Sequence, residues 1–190
     1  GQMTNSGFEI GVRGDIIRTK DFTFNSGLNL SFQQNKLNTL SGTYKGQALT
    51  TSEHIAVANI NAAGLTQNTG VTYLIEGQPI GVFYLPHCEG INANGQYIIT
   101  DLDKNGTIDT GDSGDRYVCG QAIPKAYLGW DFTFKYKNWD LAMQFNGAFG
   151  HKIYNGTGMT YSNMNNFPTY NVLADAPEKG IKDIQISDYW

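Results

Sequence analysis

Residues 21–35 read "DFTFNSGLNLSFQQN", and their alternation restricts the fold more than any other feature of the chain. Phe22, Phe24, Leu28, Leu30 and Phe32 fall on one face of an extended backbone, with Ser26 as a polar interruption. Thr23, Asn25, Gly27, Asn29, Ser31 and Gln33 fall on the other. Side chains of a strand alternate between its two faces, so this period of two specifies a strand with one apolar and one polar side. The preceding "GFEIGVRGDII" repeats the pattern: Phe8, Ile10, Val12 and Ile16 oppose Glu9, Arg13 and Asp15. "RTKD" (18–21) between them is a short turn, which predicts a hairpin over 6–34. A second hairpin is predicted over 126–150, turning near Lys137-Asn138. Leu128, Trp130, Phe132, Phe134 and Tyr136 oppose Gly129, Asp131, Thr133 and Lys135; after the turn, Leu141, Met143, Phe145 and Phe149 oppose Asp140, Gln144 and Asn146.

Two all-β architectures use such strands. In a soluble sandwich the apolar faces meet in a core. In a transmembrane β-barrel they meet lipid, and the polar faces line a wet lumen. Three features favour the barrel. The strands are long, against roughly 5–6 residues in soluble sheets and about 9–11 for a membrane strand. The turns at 18–21 and 137–138 are short while the other connection is very long, as in barrels with long extracellular loops. Tyr136 and Trp139 flank a turn, where an interfacial aromatic girdle would lie. Four strands cannot close a barrel, which needs about eight. On this reading the chain, abrupt at Gly1 and at Trp190, is an excised piece of a larger protein.

The connection at 35–125 is rich in Gly, Asn and Thr. A structureless loop of that length is suspect, so it either holds small elements of its own or is a functional loop. "VTYLIEG" (71–77) and "QYIIT" (96–100) predict short strands, and "SEHIAVANINAAG" (52–64) predicts a short helix capped by Ser52. The Asn-rich segment 151–190 reads as surface loop.

Composition narrows function. Net charge is −4 with no basic run, which argues against nucleic acid as a partner. No apolar run reaches the roughly 18 residues of a transmembrane helix. His54, His87 and His151 lie far apart, none in a nucleophile elbow or an HExxH motif, so no catalytic site and no enzyme is predicted. Cys88 and Cys119 admit two readings, a disulfide in an oxidising compartment or two buried thiols.

"DLDKNGTIDTGD" (101–112) carries the chemistry. Calcium takes six to eight oxygen ligands, and a loop offering them at positions 1, 3, 5, 7, 9 and 12, with Gly at 6, wraps one ion. Those positions hold Asp101, Asp103, Asn105, Thr107 (through its backbone carbonyl), Asp109 and Asp112, with Gly106 at the bend. Asp112 replaces the usual Glu and has a shorter reach. Ile108 is expected to anchor the loop in a small apolar cluster. A solvated acidic turn is the alternative, but four carboxylates clustered without a cation repel one another. No helical pattern flanks the loop, so the predicted calcium is structural rather than a switch.

Several stretches then resemble the SusC/RagA family of TonB-dependent outer-membrane transporters. They are "MTNSGFEIGV" (3–12), "EGQPIGVFY" (76–84), "EGI" (89–91), the acidic loop, and "CGQAIPKAYLGWDFTFKYKNWDLAMQFNGAFGHKIYN" (119–155). Their order matches as well as their wording, from about Met3 to Trp190, in what would be a late part of the barrel region. The resemblance implies antiparallel hairpins of a transmembrane barrel with long extracellular loops. It implies an importer of oligosaccharides or peptides, in the outer membrane at the cell surface. Its expected partners are a SusD-like surface lipoprotein serving as a lid and a TonB complex, engaged through segments outside this chain. The positions matching the family's acidic loop are Asp101, Asp103, Asn105, Gly106, Asp109 and Asp112; Lys104 puts a positive charge inside the loop and is expected to point to solvent, while Cys88 and Cys119 depart from the pattern. The loop is then expected in a cell-surface connection above the barrel mouth. The resemblance singles out no substrate-binding residue. The competing reading is a secreted, calcium-stabilised β-sandwich that binds glycans, with Tyr154, Tyr161, Phe167 and Tyr170 stacking on sugars; plain loop anchoring is the simpler role for those rings.

Overall fold

The computed structural model describes residues 1–49, 51–59, 70–93, 97–109, 111, 114–162, 167–169 and 171–176. Its elements are β1 (Gln2–Arg18), β2 (Phe22–Thr39), β3 (Gly42–Tyr44), β4 (Gln47–Leu49), β5 (His54–Asn59), β6 (Gly70–Ile75), β7 (Val82–Pro86), β8 (Cys88–Ile91), β9 (Tyr97–Ile99), β10 (Arg116–Gln121), β11 (Ala126–Tyr136), β12 (Trp139–Phe149) and the short helix α1 (Gly156–Tyr161). They fall into two compact units.

One unit holds Met3–Lys36 and Ile123–Lys152. It is a four-stranded antiparallel sheet in the order β1-β2-β11-β12, the two predicted hairpins side by side. Tyr136 pairs with both Phe22 and Trp139, so both tight turns lie at one end. The chain enters and leaves the long connection at the other end, where Ala126 pairs with Phe32 and Phe149. The first turn is held by Thr19, whose N–H donates to the Phe22 carbonyl at 2.7 Å and whose Oγ1 accepts the Phe22 N–H at 3.0 Å. The second is a two-residue reversal with Lys137 at φ +51°, and the Lys137 N–H donates to the Asp21 carbonyl at 2.9 Å. The strands exceed the pattern-based bounds: β1 begins at Gln2 and β2 runs on to Thr39.

The sheet is two-faced, as the alternation requires. On the apolar side, Phe24 stacks on Phe134 at 4.4 Å, and Phe132 lies 5.1–6.4 Å from Trp130, Phe134, Phe145 and Phe24. Ser26, the polar interruption, is absorbed there. Its Oγ accepts the Trp130 indole N–H at 2.9 Å and donates to the Asp131 carbonyl at 3.1 Å. On the polar side, Arg13 pairs with Asp131 at 2.6 Å, Asn25 donates to Asp15 at 2.8 Å and Ser31 donates to Glu9 at 3.1 Å. A sandwich would bury the apolar side. Here Phe8 is 57 % and Val12 64 % exposed, with Ile10, Leu141, Phe145 and Phe149 also open.

The other unit holds Leu37–Ala122 and the described residues after Lys152. The long connection is therefore no structureless loop. Strands β10-β7-β6-β5 form an antiparallel sheet, and two small hairpins, β3–β4 and β8–β9, accompany it. Val71, Phe83, Leu85 and Cys119 form its core, with Tyr117 and Tyr154 packed against them. Arg116 is buried with them and donates to the Tyr73 hydroxyl at 2.9 Å. The strands expected in "VTYLIEG" and "QYIIT" are β6 and β9.

The helix expected at 52–64 is corrected: His54–Asn59 is strand β5, paired antiparallel with β6, and residues 60–64 lie outside the described residues. The β-branched Ile55 and Val57 suit a strand, and a neighbour with free ladder groups outweighs a weak helical preference. The segment after 150, read as loop, contains α1, whose first turn is capped by Asn155 Oδ1 accepting the Gly158 N–H at 2.7 Å. No disulfide forms: the Cys88 thiol donates to the Gly90 carbonyl and the buried Cys119 thiol to the Phe83 carbonyl, each at 3.2 Å. Of the tail aromatics, Tyr154 is a loop anchor against Phe83, Tyr161 and Phe167 are exposed, and Tyr170 lies outside the described residues.

Candidate metal centre

The acidic loop spans the gap between β9 and β10. Its first half folds on its own side chains. Asp101 accepts the N–H of Asn105 at 3.2 Å on Oδ1 and of Gly106 at 2.8 Å on Oδ2. Asp103 accepts the Asn105 N–H at 3.0 Å and its carboxamide N–H at 2.8 Å. Asn105 Oδ1 in turn accepts the N–H of Thr107 at 2.8 Å and its hydroxyl at 2.5 Å. Short polar side chains bonding the backbone a few residues on are what bend such loops. Gly106, at φ +85°, takes the left-handed conformation the bend requires, and Lys104, at φ +59°, takes it too while exposed to solvent.

The second half is held by a residue outside the predicted set. Asp115 is only 1 % exposed. Its Oδ1 accepts the N–H of Leu102 at 2.7 Å and, at 3.4 Å, that of Asp103; its Oδ2 accepts the Asp109 N–H at 2.9 Å. One carboxylate thus ties the entrance of the loop to its exit. The Asp109 N–H is the main cause holding this carboxyl below the usual carboxylate range; burial pushes it up, and the Leu102 and Asp103 N–H groups add to the lowering.

Carboxylate oxygens of Asp101, Asp103 and Asp115 lie within 4.8 Å of one another. Asp109 is not in this group; its Oδ1 accepts the Gly111 N–H at 2.8 Å. Asn105 and Thr107 sit in the same turn, and Asp112 lies outside the described residues. Ile108 corrects its expectation: it is 50 % exposed, and the buried anchor is Asp115. Asp115 falls beyond the roughly 12-residue calcium template, so the template missed it. The legible signal was an Asp directly before the strand that ends the loop, in "GDRYV" (114–118).

The donor set is all oxygen, with three carboxylates, which is the chemistry a calcium ion selects over softer metals. An ionised carboxylate offers about four lone-pair sites, so one or two accepted N–H bonds leave room for an ion. His54 and His87 have separate partners. His54 lies against Tyr84, while His87 Nδ1 is 2.8 Å from the Thr100 hydroxyl, which donates to Glu89.

No protein-family model matches the chain. Three curated proteins do. TonB-dependent receptor P3 of Formosa agariphila is 24 % identical over 98 % of this chain, and TonB-dependent receptor P26 of the same organism 29 % over 97 %. TonB-dependent receptor SusC of Bacteroides thetaiotaomicron is 26 % identical over 81 %. The chain is similar over most of its length to TonB-dependent receptors, SusC among them. It spans only about a fifth of the length of these receptors, 20 %, 19 % and 15 % respectively. Among solved structures it is similar to the RagAB peptide transporter, with a TM-score of 0.60 at 17 % identity, over 97 % of this chain and 20 % of that one. The RagAB importer in its closed-closed state gives 0.62 at 16 %. The receptors' fold accommodates both long hairpins and the connection between them.

Proposed function

We propose that this chain forms part of the barrel wall and a cell-surface connection of a TonB-dependent outer-membrane importer. The single observation that carries this is the sheet with one exposed apolar face, both tight turns at one end and the long connection at the other. The apolar face meets lipid and the polar face meets the lumen. The importer takes up a nutrient oligosaccharide or peptide with a SusD-like surface lipoprotein over its mouth, and a TonB complex energises it through parts beyond this chain. Calcium held by Asp101, Asp103, Asp115 and carbonyl oxygens of the same turn stiffens the connection. The test is fractionation and co-purification of the full-length protein from its host. Recovery in the outer membrane with a lipoprotein is the expected result; secretion as a soluble product overturns the reading.

Ser26 offers an independent check. In hydrocarbon no water can replace a lost partner. Ser26→Ala is therefore expected to cost about 1–3 kcal/mol by stranding the Trp130 N–H, and adding Trp130→Phe should recover most of it. Urea unfolding in lipid vesicles measures both. Were the face in water, Ser26→Ala would be nearly silent.

A further inference from the structure

We infer that the turn end of the four-stranded sheet holds the phosphate of an anionic phospholipid headgroup, with Lys137 and Lys20 as its cationic contacts. This goes beyond the importer reading and rests on the apolar face meeting lipid. Strand β11 has 11 residues, and about 9–11 residues of a tilted strand cross the hydrocarbon of a bilayer. Tyr136 therefore marks the hydrocarbon's edge, and the turn that follows it lies at headgroup depth. Phe22, Tyr136 and Trp139 stand side by side there, in register across three strands. Tyr136 is 52 % and Trp139 80 % exposed, and such amphipathic rings settle at the level of the headgroups.

The Lys137 Nζ lies 5.4 Å from the centroid of the Tyr136 ring, within the cation–π reach of about 6 Å. Tyr136 is on the apolar side, so this contact keeps the ammonium toward lipid rather than toward the lumen. The Lys137 N–H bond to the Asp21 carbonyl, 2.9 Å, joins the two turns and sets Lys20 in the adjoining one. The other cations at this end are already matched: Arg18 with Asp15 at 3.3 Å, and Lys135 opposite Asp140 in register on the polar side. Neither Lys20 nor Lys137 forms an ion pair among the described residues. Asp21 is the single carboxylate in the two turns, against these two lysines, so their excess charge is positive. Phosphate is the anion that headgroup depth offers. A zwitterionic headgroup brings its own ammonium, which the lysines repel, so the site favours a lipid of net negative charge.

The test uses the full-length protein with Trp139→p-benzoylphenylalanine, which keeps an aromatic ring on the lipid side and cross-links under light to what it touches. The protein is reconstituted in vesicles of equal parts phosphatidylglycerol and phosphatidylcholine, irradiated, and its lipid adducts are identified by mass spectrometry. Phosphatidylglycerol adducts are expected in excess by about fivefold for each lysine, the effect of one cation at a lipid surface. Lys20→Gln and Lys137→Asn should each remove about fivefold of that excess, and together bring the two lipids to parity. Asparagine suits position 137 because φ there is +51°, in the left-handed region that Asn tolerates. Equal cross-linking to both lipids in the parent overturns the site, and so does an excess that the double variant keeps. Absence of any lipid adduct from protein with the heat-modifiable mobility of a folded barrel overturns it too. Each of these results leaves the importer reading standing. Recovery as a soluble secreted protein sinks both.

Discussion

Phe132→Arg in the full-length protein is expected to block assembly in the outer membrane, while Thr133→Arg, one residue along the same strand, is expected to be tolerated. Phe132 lies near the middle of β11 on the apolar face, in ring contact with Phe24, Trp130, Phe134 and Phe145. An arginine at the membrane midplane of a barrel costs about 2–4 kcal/mol, and loss of the ring contacts adds about 0.5–1.5 kcal/mol for each good pair. Thr133 faces the polar side, in register with Asn25 and Ala142, where an added cation finds water and the nearby Asp15 partner of Asn25. The heat-modifiable mobility of folded barrel on a gel reads both variants. Equal tolerance of the two would remove the membrane from the interpretation. A buried protein core would also reject Phe132→Arg, so Val12→Trp separates the cases. Lipid accommodates the larger side chain with no measurable loss, whereas a packed core loses about 1–3 kcal/mol on overpacking.

The sequence made some of this legible and hid the rest for identifiable reasons. Alternation across Phe22–Phe32 and Leu128–Tyr136 located the long strands, because a period of two has one structural solution when sustained that far. The pairing of β2 with β11 joins residues far apart in the chain, and nothing local encodes it. Within the connection, His54–Asn59 misled because six residues, four of them Ala, Ile or Val, carry too little pattern, and β6 decided the outcome. The loop's first half was readable because Asp101, Asp103 and Asn105 act on residues close behind them. Asp115 was not, because its carboxylate reaches backward to Leu102 across a loop whose closure only the β9 and β10 ends impose. Ser26 looked like a flaw in the apolar face until its partner, Trp130 on the neighbouring strand, was in place.

Asp115 also separates two sources of stiffness in that loop, and the second large effect follows. With calcium at about 100 times its dissociation constant, the bound loop gains about 2.7 kcal/mol over the free one. Amide exchange at Leu102 and Asp109, where opening of the loop is the rate-limiting event, should then slow about 100-fold. Asp101→Ala with Asp103→Ala removes two of the three converging carboxylates, so that slowing should vanish. The same variant keeps the Asp115 bracket but loses the bonds to Asn105 and Gly106, so its exchange in chelator should run faster than the parent's and should not change when calcium is added. Asp115→Asn acts differently. A carboxamide turned with its oxygen toward the Leu102 N–H presents N–H donors to the Asp109 N–H, so one bracket is lost whichever way it turns. Exchange should accelerate in this variant before any calcium is added, and the calcium response should shrink as well. If calcium and chelator gave the parent identical exchange, the ion would have no part in the loop. The Asp115 bracket alone would then account for its shape.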